Sequence, residues 1–526
     1  MPIILFNNNM NDIKAFGHDV TKVMAFGHQV WQKQSSIPDY LCFTALEAGQ
    51  FTLTIPAAVT PTYLSYVEWS KDGRTWNHTD NTSEAVTIDV QVASGEKVYW
   101  MGSGKRTAVG YVDDQFSNFS STCQFDLSGD IRSILYLNDF SVTTTNQRYC
   151  FTGLFYGASV VNASNLRLAL TGNSAYMYCF RGCTQLLHAP ALMEGNTIMQ
   201  WQFHSTYDGC TNLVTGTDLQ ATSVGVRGCY YTYKSCTSLV KAPNISSITT
   251  IGNGGLCAMF HGCSSLTYIK CLATSLYDDG DASHFATYNW VAGVSSTGTF
   301  IQAEGVTWTR GASGIPTGWV DVEKRTMPSG YKQLLWVSTD SKAYVNTGIA
   351  GDNDNLKITT VFNMSAYIDW GAIYGNYVGD SYNVTRLVQG SSDACSCCNL
   401  NVKSNNSGNQ LNYDVFHINR PHMVIQSKNS VIYNGTTINI SGKARGTANS
   451  GHIALGNRSM TNPNTTRNIG LCIYTHKIED TSLSSVLCDY VACVRESDSK
   501  AGFYDFVSNA FIPSATSSDF TAGEEI

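Results

Sequence analysis

Four segments in the middle of the chain carry one pattern: an aromatic residue, then a Gly or Ser, a Cys, a Thr or Ser, and a Leu. They are Phe180-Arg181-Gly182-Cys183-Thr184-Gln185-Leu186, Tyr207-Asp208-Gly209-Cys210-Thr211-Asn212-Leu213, Tyr233-Lys234-Ser235-Cys236-Thr237-Ser238-Leu239 and Phe260-His261-Gly262-Cys263-Ser264-Ser265-Leu266. Their cysteines lie 27, 26 and 27 residues apart. A weaker copy, Phe155-Tyr156-Gly157-Ala158-Ser159-Val160-Val161, stands 25 residues before the first with Ala in place of Cys, the drift expected of a terminal repeat. One such unit cannot bury its own apolar side chains, so the copies must stack into a solenoid. The pattern predicts an aromatic that closes a helical turn, a Gly or Ser that ends it, a small Cys, and a Leu that begins a strand. Cys183, Leu186, Cys210, Leu213, Cys236, Leu239, Cys263 and Leu266 are therefore expected as structural rungs of the core. Cys179 and Cys183 have helical i, i+4 spacing, but the counterparts Cys229 and Cys257 precede their partners by 7 and 6 residues. A repeated metal geometry needs a constant gap, so no metal is expected there.

At 526 residues the chain exceeds one core, and lengths of ~100–200 residues per domain call for several units. The expected fold class is mainly β and multi-domain. Residues 1–34 hold a tandem duplication, Ile13-Lys14-Ala15-Phe16-Gly17-His18-Asp19-Val20 and Val23-Met24-Ala25-Phe26-Gly27-His28-Gln29-Val30-Trp31, in which each copy reads as two short strands about a Gly. Too small for its own core, this segment is expected to dock the protein through Phe16, Phe26 and Trp31. Residues 35–110 alternate as a small β-sandwich, with an Asp72-Gly73 hairpin turn and with Trp69 and Trp76 as packing residues. The solenoid with its caps is placed at 111–320, a linker at Val320 to Ser329, and a jelly-roll sandwich at 330–526.

Only 14% of residues are charged, against ~25% in ordinary domains, so the surface is expected to consist of Asn, Thr, Ser, Gly and Tyr. A net charge of −7 offers no basic field for nucleic acid, and no apolar run of ~18 residues suits a membrane span. The first residues, Met1-Pro2-Ile3-Ile4-Leu5-Phe6 followed by Asn7-Asn8-Asn9, lack a secretory h-region. Synthesis in a reducing cytoplasm is the expectation, with the 17 cysteines as thiols.

The repeat resembles leucine-rich repeats of the BspA type, with Phe260 to Leu266 the nearest copy and Gly298-Thr299-Phe300 through Gly314-Ile315-Pro316-Thr317-Gly318-Trp319 similar to the closing segment of such arrays. The C-terminal part, opening with Tyr331-Lys332-Gln333-Leu334 and Ala343 to Ile349 and closing with Ala501-Gly502-Phe503-Tyr504-Asp505, resembles concanavalin-like (laminin-G-like) sandwiches. The duplicated N-terminus is similar to strand repeats that begin many tail and fibre proteins of gut phages. Together these resemblances imply a fibre or tail-associated virion protein of a Bacteroides-infecting, crAss-like phage, although the 26 to 27 residue period is longer than the BspA repeat's ~23, within the broader range for leucine-rich repeats.

For chemistry the chain offers little. Glycosidases of the concanavalin-like fold need paired carboxylates, and from residue 330 onward the glutamates Glu479, Glu496, Glu524 and Glu525 form no such motif. No nucleophile elbow, phosphate loop or zinc-protease motif is found. Cys395, Cys397 and Cys398 lack the spacing and histidine of a metal site, and their role is left open; Gly351-Asp352-Asn353-Asp354-Asn355 has oxygen ligands for calcium but also suits an Asx turn. The expectation is no enzyme and no cofactor. Sugar recognition needs exposed aromatics flanked by hydroxyls and amides, and the candidates are Trp201, Tyr230, Tyr231 and Trp290 in the repeats, with Trp370 and Tyr374 beyond them; the alternative is that they fill the core or a subunit interface. The expected role is host attachment within a virion, with residues 330–526 binding host surface polysaccharide or a neighbouring subunit, other virion proteins as partners, and a homotrimer ahead of a dimer. An exported bacterial adhesin and a capsular depolymerase are the alternatives.

Overall fold

A computed structural model describes residues 39–56, 64–80, 85–104, 117–136, 149–168, 172–193, 195–339, 343–351, 353–364, 372–375, 419–427, 429–439, 451–456 and 471–526, and gives backbone pairing for 14–15, 18–19, 22–25, 28–32, 385–387, 394–400 and 411–417. The chain is mainly β and multi-domain; its helices among the described residues are Ser133–Tyr136 and the 3-10 turn Ala282–His284. Each copy of the N-terminal duplication pairs with itself, Lys14–Ala15 with His18–Asp19 and Lys22–Ala25 with His28–Gln32. Phe16 and Phe26 lie outside the described residues, and of Trp31 only the backbone pairing with Val23 is described.

Period-2 alternation builds the first sandwich. Val86–Val92 buries Ile88, Val90 and Val92 while Thr87, Asp89 and Gln91 face water, and it pairs with Gly49–Ile55. The second sheet carries Leu41–Ala45 and Lys97–Gly104, and the Asp72-Gly73 turn joins Leu64–Ser70 to Asn77–Asp80 with Gly73 at φ 68°. Two further strands, Asn118–Ser121 and Phe125–Asp130, belong to these same sheets although they fall within the span expected of the solenoid. The reason is topological. Phe125–Asp130 pairs antiparallel with Leu41–Ala45 on one side and parallel with Val160–Arg167, in the first coil, on the other. One apolar core runs through both parts, and the rings of Phe43, Phe119, Phe155 and Phe180 make an unbroken series of contacts across the junction. Beside it, Arg132 and Asp130 form a fully buried, bidentate ion pair, with Nη2 to Oδ2 at 2.6 Å and Nε to Oδ1 at 2.9 Å.

The coils stack at the repeat period. Phe155, Phe180, Tyr207, Tyr233 and Phe260 form a column of stacked rings with centroids 5.1 to 5.7 Å apart. Leu186, Leu213, Leu239 and Leu266 form a second buried column. The cysteines form a third, and each thiol donates to the aromatic carbonyl of the coil before it: Cys183 Sγ to Phe155 O at 2.9 Å, Cys210 to Phe180 at 3.0 Å, Cys236 to Tyr207 at 3.2 Å and Cys263 to Tyr233 at 3.0 Å.

The segment before each cysteine is a ribbon of hydrogen-bonded turns, where the repeat predicts a helical turn. The N–H groups of Cys179, Arg181 and Cys183 donate three residues back within the coil, while those of Tyr178, Phe180 and Gly182 donate to His204, Thr206 and Asp208 carbonyls in the next coil. Alternate donors thus close a turn and bridge two coils, so no α-helical i−4 ladder forms. Every fourth residue of the ribbon is left-handed: Ser174, Tyr178 and Gly182, then Trp201, Ser205 and Gly209, then Arg227, Tyr231 and Ser235, then Gly254, Ala258 and Gly262. On another side of the coils Thr197–Ile198, Ser223–Val224, Thr250–Ile251 and Ser275–Leu276 pair in parallel.

The array ends in a parallel sheet of Tyr268–Cys271, Thr299–Ala303 and Val320–Lys324. Val320–Lys324, expected to open a linker, is its last rung. Ile301, Val320 and Val322 pack with Leu335, Val361, Tyr474 and Ile526 of the C-terminal part, and Arg325 reaches both Glu304 at 2.9 Å and Asp489 at 3.0 Å. The solenoid and the C-terminal part therefore share a buried interface. The C-terminal part is two antiparallel sheets over one core, the larger centred on Leu356–Met364, Leu471–Asp480 and Ser485–Arg495, the smaller built on Val345–Ala350, His452–Leu455 and Ala372–Gly375.

Candidate functional site

The outer side of the turn ribbon gathers large side chains. Trp201 and Tyr230, on neighbouring coils, have ring centroids 5.6 Å apart, and His204 lies 4.9 Å from the first and 5.2 Å from the second. Tyr231 adjoins Tyr230 at 4.1 Å, and Tyr178 extends the group by its contact with His204 at 5.0 Å. Cations lie over these rings: Arg227 is 5.0 Å from the Trp201 centroid, Lys234 is 4.8 Å from Tyr231 and Arg181 is 5.2 Å from Tyr178. The carboxylate of this face, Asp208, is engaged by Arg181 at 3.2 Å. Trp201, His204, Arg227, Tyr230, Tyr231 and Lys234 are all partly exposed.

Backbone geometry makes this cluster unusual. Trp201 (φ 58°), Arg227 (φ 51°) and Tyr231 (φ 58°) are left-handed, a conformation in which Cβ crowds the carbonyl at about 1–2 kcal/mol per residue. One coil further on the corresponding places hold Gly254 (φ 56°) and Ala258 (φ 49°). Glycine fits these positions without that crowding, so the large side chains are carried despite a local cost that inter-coil hydrogen bonds such as Trp201 N–H to Val226 O and Tyr231 N–H to Cys257 O hold in place. Packing does not explain them, since the buried rings of the column, Tyr207 and Tyr233, occupy other positions.

The electrostatics follow from crowding and burial. Burial, with Arg181 and Arg227 nearby, lowers the His204 imidazole to about 4, and its Nδ1 has no hydrogen-bond partner. His204 is thus a neutral ring at pH 7. Burial also raises the Tyr230 and Asp208 pKa values, and the Tyr230 phenol stays a neutral donor.

Of the six aromatics expected to face sugar, the structure brings together Trp201, Tyr230 and Tyr231. Trp290 is a correction: it is fully buried, continues the ring column beyond Phe260, and donates Nε1–H to Gly314 O at 2.7 Å. Tyr374 is another, buried in the C-terminal core with its hydroxyl donating to Gln426 Oε1 at 2.6 Å. Trp370 lies outside the described residues, and for Cys395, Cys397 and Cys398 only the backbone of Ala394–Leu400 is described. In the segment weighed for calcium, Asn353 Oδ1 accepts from Asn355 N–H at 2.9 Å and Nδ2 donates to Asp480 at 2.6 Å, which makes an Asx turn tied to the neighbouring strand. Among the described residues no group of His, Cys, Asp and Glu could hold a metal ion, and no helix is long and apolar enough to cross a membrane. The sequence reading missed His204, Arg227, Lys234, Tyr178 and Arg181. Aligning the coils would have found most of them, because His204 and Tyr230 occupy one position of the period and Trp201 and Arg227 another.

In comparisons with protein families, with curated proteins and with solved structures, the chain matches none.

Proposed function

We propose that this protein is a non-enzymatic structural and attachment protein of a phage particle, a head or tail fibre that docks through its first residues and presents host-glycan binding on its solenoid. The virion part rests on sequence resemblance. The observation that carries the binding part is the face formed by Trp201, His204, Tyr230 and Tyr231, whose rings suit the C–H faces of sugars and whose hydroxyls and cations suit sugar hydroxyl edges. Rings held on a stacked solenoid lose little freedom on binding, which favours recognition of a flexible polymer. Neighbouring virion proteins at residues 1–34 and a homotrimeric assembly belong to the same proposal.

The test is a glycan array probed with the full chain and with Trp201→Ala. Binding of host-surface saccharides that falls about tenfold or more in the variant supports the reading, on the scale of one lost aromatic contact. Binding indifferent to Trp201, or no binding, contradicts it. Mass spectrometry of purified particles tests the virion half: absence of the chain sinks it. Release of new reducing ends from capsular polysaccharide would sink the non-enzymatic half.

A further inference from the structure

The aromatic face carries more cations than carboxylates. Arg227 lies over Trp201 at 5.0 Å and Tyr230 at 5.7 Å, and Lys234 over Tyr231 at 4.8 Å. Among the described residues neither side chain makes a hydrogen bond or a close ion pair; Arg181 engages Asp208 at 3.2 Å, and Lys234 faces the same carboxylate at longer range. Three cations, Arg181, Arg227 and Lys234, thus stand with the carboxylate of Asp208, which leaves an excess of two positive charges on this face in a chain of net charge −7. Contact with a ring face fixes a cation in place without neutralising it, and leaves its N–H donors free for an anion. Arg227 holds this place in a left-handed backbone (φ 51°) where the next coil has Gly254, so the position does not need a long side chain for folding.

From this we infer that the saccharide recognised by this face is acidic, carrying carboxylate groups that Arg227 and Lys234 receive while its rings lie against Trp201, Tyr230 and Tyr231. The inference rests on the saccharide reading above and adds the charge of the ligand. A regular acidic polymer offers a ring and an anion at each repeat; the face offers rings on two successive coils, Trp201 on one and Tyr230 and Tyr231 on the next, with Arg227 and Lys234 on the second. His204 supplies a neutral surface among the rings of Trp201, Tyr230 and Tyr231, so binding needs no proton taken up by that ring.

The experiment compares a galacturonic acid tetramer with the same tetramer methyl-esterified at every carboxyl, by calorimetric titration of the full chain. The acid is expected to bind about tenfold or more tightly than the ester at low salt, with the gap narrowing as ionic strength rises. The double variant Arg227→Gln, Lys234→Gln, checked for an unchanged thermal melt, is expected to lose the preference and keep the weaker binding of the ester. Equal binding of acid and ester overturns the inference and leaves the saccharide reading standing. Binding of neither overturns both, and tighter binding of a single-stranded oligonucleotide than of the acid tetramer overturns the inference in favour of a nucleic-acid ligand.

Discussion

Cys183, Cys210, Cys236 and Cys263 show why one residue type returns in coil after coil. The site admits only a small side chain beside the stacked rings, and a carbonyl of the preceding coil lies within 3.2 Å of each sulfur. Alanine would lack the donor, and leucine would not fit. Burial pushes Cys183 and Cys263 up to about 12, which removes the thiolate needed for alkylation. Peptide mapping after iodoacetamide treatment at pH 8 should find these four cysteines unlabelled in the folded protein and labelled after unfolding in urea; rapid labelling of the native chain would contradict the ladder. A second buried group sets an acid limit on stability. His476 accepts or donates one hydrogen bond with Thr360 at 2.8 Å, its Nε2 has no partner, and burial lowers its pKa from 6.5 to about 3. Between these values the unfolded chain binds the proton and the folded chain does not, so this group's contribution is intact above pH 6.5 and is lost as pH falls toward 3. The slope is at most about 1.4 kcal/mol per pH unit. Urea unfolding across that range should show it, and His476→Phe should be less acid-sensitive than the parent.

At the scale of elements, the ring column and the outer aromatic face separate stability from binding. Tyr233 is fully buried between Tyr207 and Phe260, at 5.2 and 5.7 Å, and its hydroxyl accepts from Thr217 N–H at 3.0 Å. Tyr233→Ala should lower stability by about 3–5 kcal/mol, whereas Trp201→Ala, on the outside of the same ribbon, should change it by less than about 1 kcal/mol; chemical denaturation of both variants measures the difference. The sequence discloses the ladders because aromatic, Cys and Leu recur at a constant period, and the C-terminal strands because runs such as Leu356 to Phe362 alternate. The turn ribbon is hidden for a physical reason: its left-handed places hold Ser174, Tyr178, Trp201, Arg227 and Tyr231 as well as glycines, so the glycine signature of left-handed backbone is broken. Trp290 misleads because it follows Phe260 by 30 residues, off the 26 to 27 residue period, and therefore reads as a variable surface position. Tyr374 misleads because both faces of its sheet region can carry aromatics, and alternation alone does not tell which face meets the second sheet. The face itself was half visible: its rings stand out as aromatics, but its cations are found only by superposing coils.

At the scale of the whole molecule, the first sandwich, the solenoid and the C-terminal part are joined by continuous packing. Phe125–Asp130 belongs to the first sandwich and to the first coil at once, and Val320–Lys324 ends the solenoid while its Val320 and Val322 pack against Leu335, Val361 and Tyr474. Forces applied to the first sandwich would pass to the C-terminal part through paired strands and buried side chains, as the proposed attachment role requires. Val361→Asp places a charge in the second junction, and calorimetry should then show the C-terminal transition moving to lower temperature and separating from that of the solenoid. An unshifted transition would mean that the interface contributes little to stability. The central claim, that the solenoid's aromatic–cation face is the glycan-binding surface, is tested most directly by hydrogen–deuterium exchange of the full chain with and without host capsular polysaccharide. The account predicts slowed exchange in peptides covering residues 199–208 and 226–235; protection confined to residues 330–526, or none at all, would contradict it.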